Sequence, residues 1–359
     1  VPAGQAKQSS AERAVKHGLE RLVHSAGGPV GAIATIHHPG KTTVISVGRS
    51  DARRAGRPRA GDHMRIASVA KAFSGAVALH LVREGRLSLN DTIGELRPDL
   101  PQGWAAVSVR QMLNHTSGLP DYTKSDGFFK QAETDPRGFV APEGIIDWVR
   151  EGKLAFSPGS KYEYSNTDNI VIGLIAQKLT GKPYRQLLEE VVFRPARLRQ
   201  TTFPTHRISL PGPFIHGYAA STDGVGADLT TFLSPSGAWA SGAIVSTPRE
   251  LGTFIRSYLG LRFFSRAEQR QQMKFVPGSS SPPGPGKNSA GLALFRYQTR
   301  CGTVYGHTGN FPGYVQWAAS TANGRRSVTT TLNIPAPSGK LLLKLRSVQA
   351  QAVCALLGK

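Results

Sequence analysis

With 359 residues, 39% of them apolar, the chain is long enough to bury a full core in one large domain or two intimate ones. Its 44 Lys and Arg against 23 Asp and Glu give a formal charge of +21, which would draw anionic polymers such as those of a cell envelope and says nothing about fold. The basic residues are scattered apart from RSDARRAGRPR (49–59) and form no zinc-finger, RNP or basic-zipper pattern, which argues against nucleic acid, and no apolar run reaches the roughly 18 residues of a membrane span.

The start, VPAGQAKQSS, is polar and has no apolar signal core, as expected if a signal peptide was removed or never existed. Residues 11–25 have helical apolar spacing, and GAIATIHH and KTTVISVG, joined at a Pro-Gly turn, read as a hairpin. RIASVAKAFSGAVALHLV (65–82) follows as a helix starting at Ser68. VRQMLNHT, APEGIIDWVREGKL, DNIVIGLIAQKLTGK and YRQLLEEVVFRPA carry helix periodicity, several of them ending in Gly or Pro. VPGSSSPPGPGKNSAG (276–291) predicts an exposed, mobile loop. GLALFRY, GTVYGHT, GYVQWAAST and RSVTTTLNI then read as successive strands, and LLLKLRSVQAQAVCALL closes the chain as a helix. Residues 1–85 and 240–359 thus form an α/β region, and 86–239 an inserted helical region. The two cysteines, Cys301 and Cys354, are either a disulfide or two buried thiols.

Within the 65–82 segment, Ser68 and Lys71 are three residues apart on one helix face, at the helix end where exposed N–H groups favour developing negative charge. A lysine desolvated there loses its charge more readily and can take the serine proton, which places a nucleophile and its activator in one turn. No other lysine in the chain has a serine three residues before it. Tyr164-Ser165-Asn166 is the only Y-x-N, before a strong helical segment, and His307-Thr308-Gly309 is the only H-T-G or K-T-G, inside a late strand.

In this order, S-x-x-K, Y-x-N and H-T-G resemble the serine penicillin-recognising enzymes, on the side of the class C β-lactamases and secreted DD-carboxypeptidases. QMLNHTSGLPDY (111–122), SPGSKYEYSN, SGAIVST (241–247) and RCGTVYGHTG are similar to family text in family order, and the resemblance covers about residues 15–358. It implies a β-lactamase/transpeptidase-like fold of α/β plus all-α type, with an antiparallel sheet flanked by N- and C-terminal helices. It implies Ser68 as nucleophile on D-alanyl-D-alanine peptides and β-lactams, with Lys71 and Tyr164 sharing acid and base work. Asn166 would orient the substrate amide and hold Lys71, and His307 and Thr308 would line the far wall and help bind the substrate carboxylate. The backbone N–H groups of Ser68 and Asn310 would hold the oxyanion, and Gly309 would keep the strand edge clear. The resemblance also pairs Cys301 with Cys354 and so implies a secreted, extracytoplasmic protein.

One position departs from the pattern. The arginine that grips the terminal carboxylate in such carboxypeptidases is matched here by Phe295, and the adjacent Arg296 points to the opposite face of a strand. No metal or organic cofactor is called for: the ten histidines include no H-E-x-x-H or H-x-H, and no G-x-S-x-G elbow occurs. His115 reads as a structural hydrogen-bonding residue, and Phe128 and Phe129 as cleft wall or core. A DD-carboxypeptidase is the leading expectation. A β-lactamase, an esterase or a D-amino-acid amidase shares its first chemical step, and a non-catalytic penicillin-binding sensor would not need the acylation residues.

Overall fold

The computed structural model describes residues 9–359, so the polar start lies, but for its last two residues, outside the described residues. The first helix, α1 (Ser10–Val23), begins where Ser9 Oγ accepts the Glu12 N–H at 3.1 Å and Glu12 Oε2 accepts the Ser9 N–H at 2.7 Å, two otherwise orphaned donors satisfied together. The hairpin follows as β1 (Gly31–His38) and β2 (Lys41–Gly48), paired residue by residue from Gly31–Gly48 to His38–Lys41. Next come α2 (Ala70–Arg83), α3 (Thr167–Thr180) and α4 (Pro248–Leu259), with shorter helical turns between them.

The late strands are β3 (Val276–Pro277), β4 (Lys287–Gly291), β5 (Leu294–Thr299), β6 (Gly302–Phe311), β7 (Tyr314–Ser320) and β8 (Ser327–Leu332), and α5 (Gly339–Leu357) ends the chain. All eight strands form one antiparallel sheet in the order β2-β1-β8-β7-β6-β5-β4-β3. The hairpin from the chain start therefore joins the late strands through β1 against β8.

Two apolar clusters build the core. Val15, Leu19 and Leu22 of α1 and Val348, Ala352 and Leu356 of α5 pack with Ala32, Ile36, Trp317 and Val328 of the sheet. Phe73, Val77, Ile172, Ile175, Phe254 and Tyr258 join α2, α3 and α4 in the larger cluster. The sheet is thus covered by helices on both faces, with the site where β6 meets the start of α2. A disulfide links Cys301, in the β5–β6 turn, to Cys354 of α5.

Two sequence expectations change. The α-helix starts at Ala70, and Ser68 lies on a single 3-10 turn, Ala67–Val69, that leads into it. The 276–291 segment is not an exposed loop: Ser280, Pro282, Gly284 and Pro285 are buried, because neighbouring side chains satisfy its backbone polar groups. Among the described residues no helix is long and apolar enough to cross a membrane.

Candidate active site

The Ser68 turn is held between a two-stranded ribbon, Met64–Arg65 against Val245–Ser246, and α2. Ala67, just before the serine, has φ of 52°, a left-handed conformation that costs a residue with a Cβ of order 1 kcal/mol and so marks a backbone set by its surroundings. Lys71 is fully buried one turn on, and its Nζ lies 3.0 Å from Ser68 Oγ, 2.7 Å from Asn166 Oδ1 and 2.9 Å from the Ser241 carbonyl. Burial pulls its pKa down to about 7 against the opposing pull of Asp121 and Asp168.

These three contacts decide which proton can move. A neutral amine has two N–H donors and one lone pair. Asn166 Oδ1 and the Ser241 carbonyl can only accept, so they take the two donors and leave the lone pair for the Ser68 hydroxyl. The Asn166 amide is fixed in that sense from behind, because its Nδ2 donates to both Asp121 oxygens at 3.1 Å.

Tyr164 closes the other side. Its ring stands 5.2 Å from Lys71 Nζ and 4.3 Å from the His115 ring. Its hydroxyl is buried on the Ser68 side without a well-formed hydrogen bond, and burial holds it well above the ordinary phenol range, so it is a phenol and not a phenolate. His115 Nδ1 meets Asp168 Oδ2 at 2.7 Å, and both are buried. Burial pushes the Asp168 carboxyl well above the carboxylate range and the His115 imidazole down to about 3.

On β6, Gly309 faces the nucleophile turn. A Cβ there would lie 2.5 Å from the Ile66 carbonyl and 3.0 Å from the Ser68 nitrogen, so no side chain fits. This contact brings the Ser68 backbone alongside Gly309 and Asn310. The Asn310 side chain is exposed, and its Oδ1 accepts the Ala336 N–H at 2.7 Å. His307 and Thr308, just before Gly309 on β6, are both buried, Thr308 Oγ1 donates to the Pro282 carbonyl at 2.7 Å, and burial lowers the His307 pKa to about 3.

A cavity of about 570 Å³ opens over Ser68. Tyr122, Phe128, Leu233 and Phe311 give it apolar walls, Asn166 and Tyr164 face it, and Asp121, Glu163 and Lys124 are its charged residues. Phe128 is therefore wall, while Phe129 is 57% exposed and lies outside it. Phe295 is buried edge-on to His307 with ring centres 5.0 Å apart, and Arg296 is turned away, stacked 4.7 Å over Phe275 and donating to Ser289 Oγ. Among the described residues no guanidinium lines the cavity.

The beta-lactamase family profile matches residues 11–351. The chain belongs to the beta-lactamase family. A D-stereospecific amidohydrolase from Streptomyces sp. is similar in structure, with a TM-score of 0.81 at 28% identity over 97% of this chain and 99% of that one. D-amino acid amidase from Ochrobactrum anthropi SV3 gives 0.82 at 26% identity, over 98% and 99%. D-alanyl-D-alanine-carboxypeptidase/endopeptidase AmpH of Escherichia coli (strain K12) is 27% identical over 227 residues, 61% of this chain and 54% of that protein. The chain spans little more than half the length of such curated relatives.

Three site residues escaped the sequence reading. Asp121 and Ser241 sit inside stretches already singled out, LPDY and SGAIVST, but nothing in their spacing assigns them to Asn166 and Lys71. Pro282 acts through its carbonyl, which every residue has, so no sequence signal could mark it.

Proposed function

We propose that the protein is a serine hydrolase that forms an acyl-enzyme on Ser68 and cleaves amides of D-amino acids. The observation that carries this reading is the buried Lys71, whose Nζ lies 3.0 Å from Ser68 Oγ and against two pure acceptors, Asn166 Oδ1 and the Ser241 carbonyl, which would take both N–H donors of the neutral amine and leave its lone pair to the serine. Ser68 Oγ attacks the amide carbon as Lys71 Nζ takes its proton. The oxyanion is met by the backbone N–H groups of Ser68 and Asn310. The C–N bond breaks as the Tyr164 hydroxyl protonates the leaving nitrogen, and the proton held by Lys71 restores the phenol. Water then attacks the acyl ester with Lys71 again accepting the proton, and the acyl C–Oγ bond breaks as Lys71 returns that proton to Ser68 Oγ.

The charge of the cavity supports the choice of substrate. Asp121 and Glu163 suit a substrate with a free α-amino group, and with Phe295 in place of an arginine the site offers no guanidinium to a terminal carboxylate. The likeness to a D-stereospecific amidohydrolase and a D-amino acid amidase over nearly the whole chain points the same way. A second reading, D-alanyl-D-alanine carboxypeptidase of the cell envelope, is supported by the likeness to AmpH and by the disulfide, which suits an oxidising compartment outside the cytoplasm.

The test is hydrolysis of D- and L-phenylalanine amide and of a peptide ending in D-alanyl-D-alanine, with Ser68→Ala alongside. The expected result is ammonia released from the D-amide, with no turnover in the folded variant. Turnover that survives Ser68→Ala would overturn the proposal, and preference for the peptide would favour the second reading.

A further inference from the structure

The pairing of β5 with β6 stops at Phe295–Gly306, so from His307 to Gly309 the β6 edge on that side has no strand partner. An unpaired edge beside a nucleophile is where an extended substrate would add its backbone. Here the β3–β4 connection lies along it instead. Thr308 Oγ1 donates to the Pro282 carbonyl at 2.7 Å, and Ser281 of the same segment reaches the cavity wall.

This strap is anchored from three directions. The Tyr162 hydroxyl donates to the Ser279 carbonyl, and the Tyr297 hydroxyl donates to Ser280 Oγ at 3.1 Å. From α5, Arg346 donates to the carbonyls of Gly284, at 2.9 Å, and Gly286, at 2.7 Å. The fit is close, since a Cβ on Gly284 would lie 2.3 Å from the Tyr297 ring. Its effect on the site is both steric and electrostatic. It fills the space beside Thr308, and it turns a hydroxyl that could have donated to an anion toward a carbonyl acceptor.

We infer that the strap over residues 279–286 is the specificity determinant of this site, restricting it to small, uncharged leaving groups. The acyl part takes the open cavity, the leaving group faces the β6 edge, and the strap leaves room there for ammonia or a short amine but not for D-alanine or the fused ring of a penicillin. The inference rests on Ser68 being the acylated residue and deepens the amidase reading.

The test loosens the strap without touching the site, in Arg346→Ala and in Arg346→Ala combined with Tyr162→Phe, and follows the mass adduct formed with benzylpenicillin together with D-phenylalanine amide hydrolysis. Losing up to three anchoring hydrogen bonds should raise the open population, and with it the rate of adduct formation, about tenfold or more. Amide turnover should stay within about twofold of the unmodified protein. An unmodified protein acylated as fast as the loosened variants overturns the inference, as does the absence of an adduct in all of them. Part-exposed Arg346 gives a single variant that keeps the core intact if the pair does not fold. Faster adduct formation without any amide turnover would uphold the strap and remove the amidase reading, so the two fail separately.

Discussion

Replacing Lys71 by methionine should remove a pH dependence of stability whose size follows from the burial of the amine. The folded pKa is about 7 against an ordinary 10.5. Between those values the unfolded chain holds the extra proton, so the stability of the parent rises with pH across that window. At about 1.4 kcal/mol per unit, a shift of this size costs the folded state about 4 kcal/mol at pH 7, where the folded amine is half protonated, and about 2 kcal/mol at pH 9. Methionine does not titrate. It leaves Asn166 Oδ1 and the Ser241 carbonyl without a donor, a penalty that does not change with pH. The stability difference, variant minus parent, should therefore fall by about 2 kcal/mol from pH 7 to pH 9, read from urea unfolding of both proteins at each pH. Parallel pH dependences, or a difference that grows with pH, would show that Lys71 is charged in the folded protein and would remove it as the base.

Three further outcomes follow from the same geometry. Gly309→Ala places a methyl between two backbone segments, so acylation should fall about 10²-fold through the displaced oxyanion donors, with about 1–3 kcal/mol lost in urea unfolding. Tyr164→Phe removes a hydroxyl with no well-formed partner, so melting temperature should hold while kcat drops about 10²-fold or more. Reducing Cys301–Cys354, which spans 53 residues, should lower stability by about 4 kcal/mol, measured by unfolding with and without reductant.

How much of this was legible in the chain depended on whether a residue acts through its type or through its place. The strands over 294–332 and the closing helix stood out because period-2 and period-3.6 patterns report burial directly. Ser68, Lys71 and Asn166 stood out because the roles proposed for them, a nucleophile, its base and the amide that orients the base, need those side chains, and the structure brings the three together. The 276–291 segment misled because Pro, Gly and Ser composition reports backbone freedom and not coverage, and its burial comes from Tyr162, Tyr297 and Arg346, distant in sequence. At Thr308 the hydroxyl was legible in the sequence, but the Pro282 carbonyl that accepts from it was not.

The buried groups around Ser68 also explain why motif matching alone could not settle which group takes the proton. Lys71, Tyr164, Asp168, His115 and His307 are all pushed by burial toward their uncharged forms, and Asp121, at the cavity wall, is the carboxylate that opposes this at Lys71 most strongly. With a pKa of about 7 the amine stands near the midpoint of its titration at neutral pH, where, under the proposed function, it would take the Ser68 proton and return it with the least loss in either direction. The proposed function then gives Tyr164, held as a phenol, the part of acid. The proposed division of labour between lysine and tyrosine is thus a property of the desolvated cluster, which forms only when residues 71, 115, 164, 168 and 307 are folded together.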